Sequence, residues 1–367
     1  GRGVGTGKKF LMASEEDMAR MYALQGAHPE YNAFLEGTGA TVLGTWDDHD
    51  YGLDDAGEEL PIKDLSQRMH LDFLRVPQDS PRRQRRGVYN SHVVGPEGRR
   101  TRIILLDTRY HREQPGAEAD LLGEEQWAWL EGELAADDAQ LTLIGSSIQA
   151  VQHHSAVMPG EALGKKVHIE SWSAFPASRR RLMGLLRERA TSGVLILSGD
   201  VHFAEFSWSP PGCDLSYGLF EATSSGLTHS ANDEVPWPAM PLMALTLPRP
   251  KGAWHVPGPK FSFSPNFGTV SVDWEASPVK IDVNIHNIDG SVKMHHRLSL
   301  DELQATSQPG RPAGGACRSE EELSFLMRHR CDLLIGSWAC LGAAAALWAV
   351  AAALRAAAGW RPKPKRL

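Results

Sequence analysis

The run Thr45-Trp46-Asp47-Asp48-His49-Asp50 places three carboxylates and an imidazole side by side at the end of a short apolar stretch. Such a knot repels itself unless cations neutralise it, and oxygen-rich sites suit hard metal ions. A second knot, Ser198-Gly199-Asp200-Val201-His202, follows the most strand-like run of the chain, Gly193-Val194-Leu195-Ile196-Leu197. Two strand-to-loop junctions that each deliver Asp and His read as one metal site assembled from distant parts of a sheet. A pair of metal ions held that way activates water and binds the oxygens of a phosphoryl group during an in-line displacement. Neighbours on a tight turn point different ways, so the first knot must divide its labour. Asp48 is expected to be a ligand, His49 to face the substrate and Asp50 to orient the imidazole, with Asp47 near the substrate or behind the ligands. Asp200 and His202, two apart on an extended segment, are expected to face the site together as ligands. Alone, the first knot also suits an acidic surface loop or a calcium loop without catalysis. The two knots together say more than either.

The elements that must position these residues follow from periodicity. Helices are expected at Glu15 to Leu24, Ile62 to Leu74, Gly123 to Ala136 and Ser178 to Thr191. A strand over Ala40 to Gly44 is expected to feed the first knot. Gly87 to Val94 and Thr101 to Asp107 read as a hairpin around Gly95-Pro96-Glu97-Gly98, and Leu141 to Ile144 and Val194 to Ser198 as further strands. From Phe203 the texture turns to short strands: Phe203–Trp208, Gly218–Ala222, Gly268–Trp274, Val279–His286 and Val292–Leu300, the last two joined at Asp289-Gly290. Alternating strands and helices followed by strands suggest an α/β layered domain with a sheet sandwich at its centre. The loop carrying Arg82, Arg83, Arg85 and Arg86 reads as a solvated turn or as a guide for an anionic substrate.

Composition sets outer bounds. The chain has 367 residues, 42% of them hydrophobic and 23% charged, which permits a substantial core. A net charge of −7 speaks against a general nucleic-acid binder, and no nucleic acid is expected as a partner. Eleven tryptophans and 35 glycines point to loops and tight turns rather than a helical bundle. The four cysteines, Cys213, Cys317, Cys331 and Cys340, form no CxxC pair, which excludes a zinc ribbon or a thioredoxin motif. Free buried thiols are expected, with a Cys213–Cys317 disulfide as the alternative. Gly1-Arg2-Gly3-Val4-Gly5 offers no initiator Met, apolar core or cleavage site, and reads as the interior of a longer chain. Leu333 to Leu354 carries no charge and has the length of a membrane span, ~20 residues; a buried Ala-rich core helix is the other reading. Arg355, Arg361, Lys363, Lys365 and Arg366 follow it and favour a cytoplasmic C-terminus. The expected organisation is a domain carrying the metal site over 1–303, a Pro- and Gly-containing linker over 304–332, a transmembrane helix over 333–354 and a basic tail over 355–367. That makes a single-pass membrane protein with its catalytic domain lumenal or extracellular.

Four ordered motifs carry a resemblance: TWDDHDYG at Thr45–Gly52, LLDTRYHR at Leu105–Arg112, SGDVHFAE at Ser198–Glu205 and ATSSGLTH at Ala222–His229. With GEEQWAWLEGEL at Gly123–Leu134 and SPNFGTVSVDW at Ser264–Trp274, the stretch from about Val42 to Leu303 resembles the PhoD-like alkaline phosphatases of the calcineurin-like metallophosphoesterase superfamily. The resemblance implies a four-layer α/β/β/α fold and hydrolysis of phosphate mono- or diesters at a bimetal centre, with iron and calcium as the metal ions. By this resemblance Asp48 matches an Asn ligand of the superfamily's Gly-Asn-His-Asp/Glu motif, His49 its catalytic histidine and Asp50 the acidic residue supporting it. Asp200 and His202 match the C-terminal Asp-x-His ligands, and Arg109 and Asn266 fall near the substrate. For Arg109 the residues alone equally allow a salt bridge with Asp107, and Thr223–Gly226 could contact substrate or form a structural turn.

One departure is plain. The family's Gly-Ser-Cys-type strand end and its Gly-Asp-x-x-Tyr motif, which carry a metal ligand and the bridging aspartate, do not occur before Thr45. The chain is therefore expected to be N-terminally incomplete with respect to the family. Two readings stand on that basis: a membrane-tethered phosphoric ester hydrolase, or a fragment or pseudoenzyme serving as a membrane-anchored binding module. A calcium-binding, lectin-like sandwich is a third, and it leaves the second Asp-His knot unexplained.

Overall fold

The computed structural model describes residues 11–151, 170–190, 192–234, 254–255 and 261–304. One large sheet dominates. Its order is β1 (Asn90–Val94), β2 (Thr101–Leu105), β3 (Leu141–Gly145), β4 (Gly193–Ser198), β6 (Leu219–Ser224), β5 (Ala204–Ser209) and β7 (Trp254–His255), with β8 (Phe261–Ser262) also on β5. Strands β2, β3, β4 and β6 run parallel, while β1 and β5 are antiparallel to their neighbours. Both faces of the parallel strands are covered, and β4, Gly193-Val194-Leu195-Ile196-Leu197-Ser198, is the nearly unbroken apolar run such a position favours. A second, three-stranded sheet holds β9 (Asn266–Asp273), β10 (Lys280–Asn287) and β11 (Val292–Ser299), all antiparallel.

Two cores flank the large sheet. On one face Ile104, Ile144, Val194, Ile196 and Leu219 pack with Trp127, Leu130 and Leu134 of α5 (Glu124–Ala135) and with Leu182, Met183 and Leu186 of α6 (Pro176–Arg189). On the other, Leu195, Phe206, Phe220 and Ala222 meet Ile281, Val283, Ile285, Met294 and Leu298 of the small sheet. Burial alternates along β10, with Ile281, Val283 and Ile285 inward and Lys280 and Asp282 outward, as the two-residue period of a strand demands. The hairpin between β10 and β11 turns at Gly290, whose φ of +83° favours glycine.

A third core lies under the N-terminal segment, where Trp46, Tyr51, Leu60, Leu71, Val88 and Tyr110 are buried together. The helices there are α1 (Glu15–Gly26), α2 (Pro29–Thr38), α3 (Asp48–Tyr51) and α4 (Lys63–Phe73). Ser14 caps α1 by accepting from the Asp17 N–H at 3.1 Å.

Several expectations need correction. Ala40 to Gly44 is not a strand: Val42 is exposed, the stretch pairs with no sheet, and the first acidic knot enters α3 directly. Helix α2 follows Pro29 at its first turn and ends at Gly39, yet buries no residue. Helices α5 and α6 cover one face of the large sheet and the small sheet covers the other, while the third core gathers residues around α3 and α4. Cys213 is disulfide-bonded, against the expectation of a free thiol; sequence alone cannot give connectivity. The transmembrane helix and the single-pass membrane location are not supported: no helix among the described residues is long and apolar enough to cross a membrane. The run Leu333 to Leu354, on which that expectation rested, lies outside the described residues, as do the linker and basic tail.

Candidate metal centre

Parallel strands β2, β3 and β4 all release their chains at the same edge of the sheet, where open α/β sheets place their ligands. Three loops meet there. Gly199 donates to the Ser147 carbonyl at 3.0 Å, Ser146 donates to Leu197 at 2.9 Å, and the Thr108 and Ser147 hydroxyls are bonded. The first knot is fastened to the loop after β2, since the Thr45 hydroxyl donates to the Leu106 carbonyl at 2.7 Å.

Asp107 fixes this junction. Its Oδ1 accepts from the Trp46 indole at 2.8 Å and from the backbone N–H groups of Arg109 and Tyr110 at 2.9 and 3.0 Å; its Oδ2 accepts from Val88 at 2.8 Å. The backbone of Asp107 is bonded in turn to the Gln126 side chain, both ways at 2.8 Å. This carboxylate is committed to donors of the fold, and it does not pair with the Arg109 guanidinium.

Asp47 caps α3, and Asp48 opens it. Asp48 is buried, its two oxygens accepting from the backbone of His49 at 2.7 Å and Asp55 at 3.1 Å. Carboxylate oxygens of Asp47, Asp48 and Asp200 lie within 4.8 Å of one another. A second grouping within the same span joins Asp48, His49 and Asp54. The first motif and the second therefore meet, with Asp48 common to both groupings.

The loop after β4 is not extended. Asp200 and His202 have φ of +72° and +57°, left-handed values that cost a non-glycine residue about 1–3 kcal/mol each. Val201 N–H to Gly199, His202 N–H to Ser225 Oγ at 3.1 Å and Ala231 N–H to the His202 carbonyl at 2.7 Å hold the turn. The same-side argument from strand geometry therefore does not apply. Asp200 joins the acidic group, whereas His202 is in neither grouping and stacks its ring 6.2 Å from that of His229.

The remaining expected residues find these places. His49 Nε2 is 3.6 Å from Asp54 Oδ1, so the carboxylate facing the imidazole is Asp54. Asp50 instead accepts from the Asp47 N–H at 3.5 Å, closing a capping box on α3. Asn266 is buried, accepting from Ser224 Oγ at 3.0 Å and donating to the Ser264 carbonyl at 2.9 Å. Its backbone N–H bonds Gly226, where a Cβ would stand 2.1 Å from Asn266 Nδ2, so this crossing requires glycine. Asn266 thus braces the Ser224–Gly226 loop that supplies Ser225 to His202, and Thr223 Oγ1 is bonded to Ser198 Oγ at 2.8 Å.

Arg109 is fully buried. Its Nε donates to Asp47 Oδ1 at 2.8 Å, Nη2 bonds the same oxygen, and Nη2 stands 2.6 Å from Glu170 Oε2. That last contact is an ion pair without hydrogen-bond alignment, since no N–H points at this oxygen. Glu170 is buried and holds Arg112 on its other oxygen. In the basic loop Arg82, Arg83 and Arg85 donate to the carbonyls of Val88, Val76 and Tyr89, while Arg86 is exposed.

The electrostatics fit this crowding. Burial, with Arg109 opposing it and Asp48 and Glu170 adding repulsion, pushes Asp47 up to about 6. Burial also raises Asp50 and Asp54, lifts Asp55 to about 6, and together with Asp47 holds Asp200 well above the usual carboxylate range. Burial works against the charge of Arg109, but Asp47 and Glu170 outweigh it and keep its pKa well above the ordinary value. Burial is the first cause of each raised carboxylate value, and the Arg109 guanidinium is the positive charge that opposes it at Asp47 and Asp200. Hard oxygen donors at this spacing fit a hard cation.

Sequence reading missed Asp54, Asp55, Glu170 and Arg112. Asp54 sits four residues after Asp50 and could have been found as an acidic continuation of the knot. Glu170 stands in no motif, and only the chain's path brings it to Arg109.

The fold and site define a mixed α/β protein with an acidic metal-type centre at the carboxyl edge of its parallel strands. The chain belongs to the PhoD-like phosphatase family, whose model matches residues 14–235, more than half of its length. It is 27% identical over 112 residues to alkaline phosphatase D of Bacillus subtilis (strain 168), covering 27% of this chain and 18% of that protein. Among solved structures it resembles one described as the structure of PhoD, with a TM-score of 0.49 and 15% identity over 79% of this chain and 60% of that one. The chain thus spans less than two thirds of the relatives it matches.

Proposed function

We propose that the chain hydrolyses phosphate esters with metal ions held at Asp47, Asp48 and Asp200. The observation that carries this reading is the meeting of the two acidic motifs, far apart in sequence, within one span of 4.8 Å. Family membership supports it. A bound metal pair, iron and calcium by the resemblance, would supply Lewis-acid neutralisation of the phosphoryl oxygens and acidify water.

The chain's own residues supply the rest. Asp48 and Asp200 would hold a cation, which would supply positive charge against their mutual repulsion. Asp47 would join them in holding it, and its bond from Arg109 ties the positive guanidinium to the rim of the centre. His49 stands half exposed beside Asp48, oriented by Asp54, where it can deliver a proton to the departing alcohol.

The test is metal content and bis-p-nitrophenyl phosphate hydrolysis, measured on the chain and on His49→Ala after loading with iron and calcium. Bound metal with turnover in the parent, and turnover lost far beyond metal content in His49→Ala, supports the reading. Metal without turnover favours a binding module. Equal loss of metal and turnover on His49→Ala overturns its role as proton donor.

A further inference from the structure

Asp200 reaches the acidic centre from a turn that its own backbone resists. Its φ of +72° is unfavourable for a residue with a side chain and persists only where the surroundings impose it. The two residues before it are held from different sides. Gly199 donates to the Ser147 carbonyl at 3.0 Å, and Ser198 Oγ is bonded to Thr223 Oγ1 at 2.8 Å across the β4–β6 pair. Thr223 Oγ1 in turn accepts from Gln149 Nε2 at 2.9 Å, and the same nitrogen donates to Glu205 Oε2 at 3.2 Å. Thr223, Gln149 and Glu205 are all fully buried. A chain of side chains therefore runs from Glu205 on β5 to Ser198 at the end of β4, two residues before Asp200.

Hydrogen-bond polarity gives this chain a direction. Gln149 carries an oxygen and a nitrogen, and only the nitrogen can donate to a carboxylate. Turned that way, Gln149 Oε1 is buried with no hydrogen-bond partner among the described residues. An unpaired buried acceptor is unfavourable, so the amide is oriented by Glu205 and Thr223 rather than by its own oxygen. The backbone around Gln149 is anchored separately. Its carbonyl accepts from the Trp172 N–H at 2.9 Å, and Glu221, fully buried on β6, accepts from the Ala150 and Val151 N–H groups at 2.8 Å each. With its backbone anchored and its amide oriented, Gln149 fixes the Thr223 hydroxyl, which fixes that of Ser198.

We infer that Glu205, Gln149 and Thr223 are positioning residues that hold Ser198 and Gly199 so that Asp200 meets Asp47 and Asp48. The inference rests on the metal-dependent hydrolase reading above. None of the three belongs to the acidic group; they act through the backbone of the loop after β4.

The experiment measures binding of calcium and of iron, each alone, by calorimetry on the EDTA-treated full chain. Thermal unfolding of the metal-free form and bis-p-nitrophenyl phosphate turnover are followed alongside. Gln149→Met fills much the same space without either hydrogen bond, Thr223→Val removes the hydroxyl at nearly constant shape, and Thr223→Ser keeps it. The expected result is a metal Kd raised about tenfold or more by Gln149→Met and by Thr223→Val, and restored toward the parent value by Thr223→Ser. The double variant of Gln149→Met and Thr223→Val should bind about as well as the weaker single variant, because both cut one chain. A lowered unfolding temperature with unchanged metal Kd marks a merely structural network and overturns the inference. So does a Thr223→Ser chain that binds as weakly as Thr223→Val. If either variant does not fold, Ser198→Ala decides: it removes only the last link, and an unchanged metal Kd overturns the inference. A parent that binds metal without turnover refutes the hydrolase reading, while the Kd comparison still judges the chain of contacts. A parent that binds neither ion refutes the inference itself.

Discussion

Asp107→Asn tests the claim that one buried carboxylate organises the junction between the first acidic knot and the loop after β2. The wild-type group accepts four hydrogen bonds, three on Oδ1 and one on Oδ2. An asparagine of the same shape can keep its oxygen toward Trp46, Arg109 and Tyr110, but its amide then faces the Val88 N–H, donor against donor. The buried Val88 donor loses its partner, at a cost of about 1–3 kcal/mol, and the three remaining bonds lose their charge assistance, so a total near 3 kcal/mol is expected. At roughly 2 °C per kcal/mol for a large chain, the thermal midpoint should fall by about 6 °C. Urea unfolding of Asp107→Asn, Trp46→Phe and the double variant gives the coupling directly. Coupling between the two side chains of at least about 0.5 kcal/mol is expected, because they share a hydrogen bond. A destabilisation of Asp107→Asn below about 0.5 kcal/mol, within the range of ordinary surface changes, would refute the organising role.

Asp200→Asn should separate stability from metal uptake. Removing a carboxylate whose ionisation burial and Asp47 oppose should raise the metal-free thermal midpoint in EDTA, while uptake of added metal falls; a lowered midpoint would contradict the repulsion argued here. His70 gives a pH signature. Its ring is buried, with Nδ1 3.4 Å from Tyr22 Oη and Nε2 unpartnered, and burial first, then Arg82, lowers its pKa to about 4. Between the unfolded value near 6.5 and about 4 the unfolded chain holds the extra proton, so stability is full above that window and falls as pH drops through it. The loss approaches about 3 kcal/mol, and the difference between parent and His70→Phe in urea midpoints from pH 7.5 to 4.5 should carry it; a pH-independent difference would exclude it. Asn266→Ala should cost about 2 kcal/mol through its lost bonds to Ser224 and Ser264. Loss of turnover with an unchanged thermal midpoint would instead place Asn266 in contact with substrate.

Much was legible in the chain because local physics wrote it there. The apolar run Val194 to Leu197 needed both faces covered and became β4, a central parallel strand. The alternation in Lys280–Asn287 named the inner face of β10, and Asp289-Gly290 named its turn. The two acidic knots announced a crowding of carboxylates that could hold a cation, and the fold does bring Asp47, Asp48 and Asp200 together. Tertiary structure decided what spacing cannot encode. The left-handed turn at Asp200 and His202 sent those neighbours to different surroundings, which an extended segment would not have done. Asp54 rather than Asp50 came to face His49, because Asp50 was drawn into capping α3. Arg109 paired with Asp47 and Glu170 instead of its sequence neighbour Asp107, whose oxygens were already taken by backbone and indole donors. Sequence fixes which groups carry charge and how strongly they must be satisfied; only the path of the chain through space decides which partner satisfies each one.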